Sequence, residues 1–143
     1  MARSLAVFLA LAPLCCAQTH PAFRWILEVD RSGPDQLAGI GDAEGSIYLA
    51  GTTQSPNFRV KAAVQNHLAG GSNVFVTKLD PSGNIVYSTY FGGSGGDAAT
   101  AMTVDAEGSV YVTGTTASTD FPTTPGAYSP SVPPTSPDSR MEV

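Results

Sequence analysis

One stretch of twelve residues occurs twice, and this duplication constrains the fold more than any other feature of the chain. The first copy begins at Asp42 and reads Asp-Ala-Glu-Gly-Ser-Ile-Tyr-Leu-Ala-Gly-Thr-Thr. The second begins at Asp105 and reads Asp-Ala-Glu-Gly-Ser-Val-Tyr-Val-Thr-Gly-Thr-Thr, an offset of 63 residues (105 − 42). Self-similarity at a fixed offset indicates a supersecondary unit that stacks on copies of itself and shares a core with them.

The composition is that of a folded protein with an acidic surface. Of the 143 residues, 42% are hydrophobic and 13% are charged, which is typical of a globular chain rather than a disordered one. Seven Lys and Arg against twelve Asp and Glu give a net charge of -5. That charge repels phosphate backbones and anionic lipid heads, so nucleic acid is not an expected partner.

Residues 1–17 are typical of a signal peptide. Arg3 supplies a positive start, an apolar run follows from Leu5 to Leu14, and small residues precede a cut before Gln18. The run is shorter than the roughly 20 apolar residues that span a bilayer, so we expect no membrane span. A buried N-terminal helix is the alternative interpretation. The signal peptide predicts secretion to the cell surface, the periplasm or the medium.

Both cysteines, Cys15 and Cys16, lie inside this segment. The predicted mature chain therefore has no disulfide, no thiolate metal site and no cysteine nucleophile. A lipid anchor on Cys16 would tether the protein to a membrane. We disfavour it, because Pro13-Leu14-Cys15 fits such a processing site badly.

Turn signals divide the rest of the chain into short strands. Asp-x-x-Gly followed by alternating apolar residues occurs three times; in each, the Asp can accept bonds from its downstream backbone and the Gly can adopt positive φ. The turn residues are Asp42 with Gly45, Asp80 with Gly83, and Asp105 with Gly108. The strands are predicted at 23–29, 38–41, 47–50, 74–79, 85–91, 101–104 and 110–113, with a loop over 54–73.

Four of these strands form one unit with connections too short for a crossover helix, which predicts an antiparallel meander. Val74-Phe75-Val76 and Ile85-Val86-Tyr87 place apolar residues on both sides of the pleat, so the sheet needs cover on both faces. Four-stranded sheets arranged radially, as propeller blades, supply that cover. The predicted fold class is therefore all-β.

The chain resembles the bacterial SBBP repeat, named for a seven-bladed β-propeller. The resemblance rests on stretches at 74–83, 87–97, 101–105, 108–114 and 120–128, among them Gly-Gly-Ser-Gly-Gly-Asp at 92–97 and Asp-Phe-Pro-Thr-Thr-Pro at 120–125. The first copy departs from the pattern at 31–35 and 54–60. The resemblance implies a secreted or surface-exposed bacterial propeller, and it carries over no catalytic residues.

The predicted domain organisation holds about one complete blade. After the signal peptide come an N-terminal strand of a preceding blade (18–34), a first repeat (35–97), a second, truncated repeat (98–128) and a disordered tail rich in Pro and Ser (129–143). A closed propeller needs roughly 4 to 8 blades. We therefore expect a truncated gene product that needs other blades to complete the fold, and we favour it over assembly into a ring, because the third strand of the second unit is missing.

The search for chemistry yields weak candidates. Asp42 with Glu44 and Asp105 with Glu107 could serve as calcium ligands or an acid/base pair, but two acids per turn fall short of the roughly six oxygens that calcium takes. The glycine run at 92–96 lacks the Lys-Ser or Lys-Thr of a phosphate loop and is interpreted as a flexible connector. His20 and His67 have no second ligand at metal spacing. We expect no cofactor, no metal and no catalytic residue.

Two functions remain from different classes. The first is a non-enzymatic scaffold whose loops, such as 54–73, bind an extracellular protein or polysaccharide. The alternative is a fragment of a larger propeller enzyme or lectin acting on polysaccharide, which would place paired carboxylates at the axis. The innermost strands, 38–41 and 101–104, offer none, and only turnover abolished by a change at Asp35 or Asp97 would favour this alternative. Six aromatic residues could stack on sugars, although strand spacing favours packing between blades: Trp25, Tyr48, Tyr87, Tyr90, Phe91 and Tyr111.

Overall fold

The computed structural model describes residues 6–8, 26–28, 33–43, 45–128 and 140–141. These residues form nine strands and no helix, which confirms the all-β prediction. The strands are β1 (Ala6–Phe8), β2 (Ile26–Glu28), β3 (Asp35–Ala43), β4 (Ser46–Thr53), β5 (Asn73–Leu79), β6 (Ile85–Phe91), β7 (Asp97–Val104), β8 (Val110–Thr116) and β9 (Arg140–Met141).

The strands form three antiparallel sheets. The first sheet has the order β3-β4-β5-β6, which is the four-stranded meander that the turn signals predict. The second sheet has the order β7-β8-β9, and β1 pairs with β2 in a separate two-stranded sheet. β1 lies inside the predicted signal peptide, and its three residues form a strand rather than part of the helix of the alternative interpretation. The remainder of the signal peptide lies outside the described residues.

The two copies share more than the duplicated twelve residues. β3 and β7 begin earlier than predicted, at Asp35 and Asp97, because each pairs with its partner strand as far as Thr53 or Thr116. A register shift occurs between Leu37 and Gly39 in β3 and between Ala99 and Ala101 in β7. The repeat therefore includes the whole hairpin and its β-bulge, which side-chain alternation alone did not reveal.

The first and third hairpins, predicted to be equivalent, differ in their turns. In the first copy the pairing continues through Asp42↔Ile47 to Ala43↔Ser46, so Asp42 lies in β3 rather than in a turn. In the second copy the pairing ends at Val104↔Val110. The second copy is one residue longer between the start of the hairpin and the duplicated motif. Because the strand pairing and the bulge are the same in both copies, the extra residue lies in the turn of the second copy.

The hydrophobic core lies on one side of the first sheet, which we call the core face. Its buried residues are Ile47, Leu49, Phe58, Phe75, Leu79 and Tyr90. Phe58 comes from the loop over 54–72 and packs on Phe75 and Tyr90 with ring centroids 4.9 and 5.4 Å away. Burial of a side chain of this size contributes about 1.5–3 kcal/mol, so the loop is a structural part of the sheet.

The same loop covers the outer edge of the first sheet. Lys61 and Ser88 exchange two backbone hydrogen bonds of 2.9 and 2.8 Å, and the Tyr90 N–H donates to the Gln65 carbonyl over 3.1 Å. An exposed strand edge is a template for pairing with other chains. The loop therefore satisfies part of the β6 edge within the chain itself.

The opposite side of the first sheet, the Tyr48 face, packs against the second sheet. Tyr48 and Ala50 are 1% and 0% exposed there. The Ala99 N–H of β7 donates to Thr52 Oγ1 over 3.0 Å, and the Met102 side chain lies where a Cβ on Gly39 would clash with it. This face-to-face contact between consecutive sheets is the arrangement of neighbouring propeller blades.

The tail differs from the sequence prediction at two residues. Arg140–Met141 pairs with β8 through Gly114↔Met141 and Thr115↔Arg140, in the third-strand position that the sequence analysis left empty. The free edge of β8 offers unpaired backbone groups, and the last six residues contain no proline to prevent pairing. Residues 129–139 and 142–143 lie outside the described part.

Among the residues that the structure describes, no helix has the length and apolar character needed to cross a membrane.

Candidate functional site: the buried carboxylate between the sheets

The most concentrated set of polar contacts surrounds Asp97, the first residue of β7. Its side chain is 0% exposed. Oδ2 accepts hydrogen bonds from the Gly93 N–H over 2.8 Å and from Asn73 Nδ2 over 3.0 Å. The Ser118 hydroxyl lies 2.9 Å from both carboxylate oxygens, and the Thr116 hydroxyl donates to Oδ1. All four partners are donors, so the carboxylate acts as an acceptor throughout.

The four donors come from both sheets. Asn73 begins β5 and Gly93 follows β6, whereas Thr116 ends β8 and Ser118 lies just beyond it. A buried polar group left without a partner costs about 1–3 kcal/mol, and a charged one costs more. Asp97 therefore fixes the second sheet against the first through hydrogen bonds that neither sheet could satisfy alone.

The glycine run at 92–96 is held by side-chain acceptors and is not the flexible connector that the sequence analysis described. The Gly92 N–H donates to Gln65 Oε1 over 3.1 Å and the Gly95 N–H donates to Ser118 Oγ over 2.9 Å. The Ser94 N–H donates to Asp120 Oδ1 over 2.8 Å. Successive backbone N–H groups make an anion-binding concavity. Here the chain's own Asp97 and Asp120 carboxylates occupy it.

The first copy repeats part of this arrangement at Asp35. The Ser55 N–H donates to Thr53 Oγ1 over 3.0 Å, and the equivalent bond from the Ser118 N–H to Thr116 Oγ1 is also 3.0 Å. The Ser55 hydroxyl lies 3.4 Å from Asp35 Oδ2. Each copy thus places an Asp at the start of its hairpin beside a Thr-x-Ser segment at the end.

Comparison with known families supports this repeat. Residues 86–122 match the family model SBBP, described as a β-propeller repeat. The matched stretch carries an SBBP repeat. The match begins within β6 and ends after Phe121, so it spans the glycine run, Asp97 and the hairpin of β7 and β8. No curated protein matches the chain.

Phe121 lies at the end of the matched stretch and shows that the SBBP repeat crosses the contact between the sheets. Its ring meets Phe91 of the first sheet edge-on, with centroids 5.2 Å apart and an interplanar angle of 85°. This edge-to-face geometry is the favoured arrangement of an aromatic pair. The repeat unit therefore includes the last strand of one blade and the first two strands of the next.

Two of the predicted turns have the same local geometry. Gly83 and Gly108 have φ of 86° and 84°, and each donates its N–H to the carbonyl of the Asp three residues earlier. Asp80 Oδ1 accepts from the Ser82 and Asn84 N–H groups, both over 2.9 Å. Bonds from the Asn84 side chain and backbone hold the pKa of Asp80 below its ordinary value of 3.8.

The Asp105 carboxylate, a calcium candidate, closes its own turn. Oδ1 accepts from the Glu107 and Ser109 N–H groups over 3.1 and 2.7 Å, and the Tyr111 hydroxyl donates to Oδ2 over 3.0 Å. The Ser109 backbone bond is the main cause that lowers the pKa of Asp105, and this carboxylate raises the pKa of Tyr111. Glu107 is exposed to solvent.

The other calcium candidates, the side chains of Asp42 and Glu44, lie outside the described residues. Gly45 between the strands has φ of 74°. Among the residues that the structure does describe, His, Cys, Asp and Glu form no group of three or more that could hold a metal ion. His67 is exposed, with Nδ1 3.0 Å from Asn66 Oδ1, and His20 is not described.

The aromatic candidates are mostly packed. Tyr48, Tyr90 and Phe91 serve packing, as strand spacing predicts: Tyr48 is buried between the sheets with Lys78 Nζ 4.9 Å from its ring centroid. Tyr90 instead joins the core face, where its hydroxyl donates to the Ser55 carbonyl over 2.7 Å. Tyr111 is 46% exposed. Trp25 is not described.

Sequence reasoning missed Asn73, Thr116 and Ser118 and treated Asp97 only as a hypothetical catalytic group. A signal for them was present, because Thr53-Gln54-Ser55 and Thr116-Ala117-Ser118 each directly follow a duplicated Gly-Thr. Hydroxyl residues that repeat at the end of a strand indicate a recurring polar contact. Asp97 is 0% exposed, so its carboxylate is out of contact with solvent.

Proposed function

We propose that this chain is a secreted or surface-exposed β-propeller module that binds an extracellular protein or polysaccharide and performs no chemistry of its own. The main support for the proposal is that the polar groups of the Asp97 site make their hydrogen bonds within the chain. Asp97 accepts only from the chain's own donors, and the N–H groups of 92–95 are likewise bonded within the chain. Such groups hold a scaffold together.

The loop over 54–72 is the proposed contact surface. Phe58 anchors it in the core, and Lys61 and Gln65 tie it to β6. Val64, 88% exposed, lies between the Lys61 and Gln65 anchors, and His67 is exposed just after Gln65. A loop held rigidly on a scaffold binds with little loss of conformational entropy, so it is suited to recognition.

The test is binding of the full chain to an array of extracellular polysaccharides and to a panel of purified surface proteins. We expect at least one saturable ligand whose affinity falls at least tenfold in a Val64→Asp, His67→Ala double variant. Ser82→Ala, in the exposed turn after β5, is the control and should bind as the wild type does. Unchanged binding by the loop variant would contradict the assigned surface. Turnover of a bound polysaccharide would contradict the non-enzymatic role.

The secreted location is tested separately from the ligand. The signal-peptide pattern predicted for residues 1–17 supports export and cleavage before Gln18. Mass spectrometry of protein recovered outside the cytoplasm should give a chain that begins at Gln18. Recovery of the uncleaved chain inside the cell alone would contradict export.

A further inference from the structure

The two hairpins of the repeat have the same outward face, but only one of them is covered. On β4 this face carries Tyr48, Ala50 and Thr52 and is buried under the second sheet, with Tyr48 1% exposed. On β8 the equivalent residues, 63 positions later, are Tyr111, Thr113 and Thr115. All three are exposed, and Tyr111 is 46% exposed. We call this surface the Tyr111 face.

The first sheet exposes the complementary half of the same contact. Met102 of β7 packs over Gly39 of β3. The residue of β3 that corresponds to Met102, in the same position after the bulge, is Ile40. Ile40 pairs with Leu49, so it lies on the core face, and it is 44% exposed. We call the surface around it the Ile40 face.

We infer that the Tyr111 face of one copy of this chain binds the Ile40 face of a second copy. The repeat itself identifies the binding partner. Within the chain, the Tyr48 face binds the hairpin of β7 and β8, which has Met102 at its centre. The hairpin of β3 and β4 is the same unit with Ile40 in the position of Met102. The contact continues an interface that the chain forms internally. It depends on the repeat geometry and not on the ligand or on secretion.

The internal interface specifies the contacts between the copies. Within the chain, the Ala99 N–H donates to Thr52 Oγ1. Leu37 corresponds to Ala99 and Thr115 corresponds to Thr52. The Leu37 N–H of one copy should therefore donate to Thr115 Oγ1 of the other. Tyr48 Oη lies against the Gly108 turn, where a Cβ would be 2.7 Å away. Tyr111 Oη should likewise meet the Gly45 turn. Ala101 of β7 has the position that Gly39 has in β3. The methyl group that Gly39 lacks makes the contact between copies weaker than the contact between the two sheets of one chain.

The interface is head-to-tail, because the two faces differ. A heterologous interface of this kind produces a closed ring if the rotation closes, and a filament if it does not. Each copy contributes two repeat sheets. A closed propeller of about 4 to 8 blades then corresponds to about two to four copies.

The test is sedimentation velocity of the full chain over a range of concentrations. The wild type should form a reversible oligomer of about two to four copies. Tyr111→Arg and Ile40→Arg should each sediment as a monomer, since every interface uses both faces. Tyr128→Arg makes the same change at a fully exposed tyrosine outside both faces, and this matched control should assemble normally. Ala101→Gly should tighten assembly. Circular dichroism checks that each variant is folded. If Tyr111→Arg loses its β-sheet signal, Thr115→Lys on the same face replaces it.

Mixing the two arginine variants distinguishes this assembly from a two-fold symmetric dimer. The Ile40→Arg copy retains its Tyr111 face and the Tyr111→Arg copy retains its Ile40 face, so the mixture should form a dimer and stop there. Three results would overturn the inference: a wild type that stays monomeric at every concentration, an Ile40→Arg variant that still self-associates, or two folded variants that do not associate when mixed.

Discussion

At the scale of single residues, Asp97 explains why the second sheet lies where it does. A carboxylate that is 0% exposed is stabilised only if its hydrogen bonds are complete, and Asn73, Gly93, Thr116 and Ser118 complete them. Among them, Asn73 and Gly93 are distant in sequence from Thr116 and Ser118. The site therefore depends on the folded geometry, which is why sequence reasoning did not assemble it.

Asp97→Asn tests this role with a side chain of nearly the same shape. The new amide group presents a donor where donors already converge, so at least one buried polar group loses its partner. We expect a loss of about 3 kcal/mol in the free energy of unfolding, measured by urea denaturation. Asp120→Asn is the control: this exposed carboxylate also accepts from the glycine run, but solvent can replace its bonds. Equal midpoints for the two variants would contradict the assigned role of Asp97.

The turn carboxylates predict a pH dependence of stability. Hydrogen bonds lower the pKa of Asp80 and Asp105 in the folded state below the model-peptide value of 3.8. A lowered folded pKa gives a contribution that is complete above the unfolded pKa and is lost as the pH falls through the folded one. Stability should therefore decline below about pH 4. NMR titration should show Asn84→Ala raising the pKa of Asp80 and leaving that of Asp105 unchanged. A wild-type Asp80 that titrates at or above 3.8 would contradict the geometry.

At the scale of strands and turns, the Asp-x-x-Gly turns define the hairpins. The β5–β6 and β7–β8 connections both use a glycine with φ near 85° and an Asp that accepts from its downstream backbone. Positive φ is disfavoured for residues with a Cβ, and glycine avoids that cost. These features are local, so the sequence was sufficient to locate the turns.

Gly83→Ala measures the contribution of that turn. Ala at φ of 86° should cost about 1 kcal/mol of folding free energy. Gly71→Ala is the matched control, because a Cβ there meets nothing within 4 Å and Gly71 is not among the glycines with positive φ. It should change stability by less than about 0.5 kcal/mol. If thermal unfolding shows the two variants to be equally stable, the turn geometry is wrong.

Prediction from the sequence was good for the central strands and their tight turns, and poor for β3 and for the loop over 54–72. The strands around Val74–Leu79 and Ile85–Phe91 were placed to within a residue because apolar alternation and Gly-rich turns delimit them. β3 was predicted too short, since its small residues lack a strong β signal. The loop over 54–72 gave no sign that Phe58 completes the core, because that contact joins residues far apart in sequence.

At the scale of the whole molecule, the chain is a stack of repeat sheets. The Tyr48 face of the first sheet is covered by the second sheet, and the equivalent Tyr111 face is exposed. The stack therefore has two unlike ends, which is the property that allows either further blades or further copies to extend it.

The sheet-on-sheet contact is the central claim, and NOE spectroscopy of the folded chain tests it most directly. The account predicts cross-peaks between the rings of Phe91 and Phe121, whose centroids are 5.2 Å apart, and between the Tyr48 ring and the Gly108 Hα protons. Both pairs join one sheet to the other. If the strand-to-strand NOEs within each sheet are observed and these two sets are absent, the sheets do not pack as successive blades.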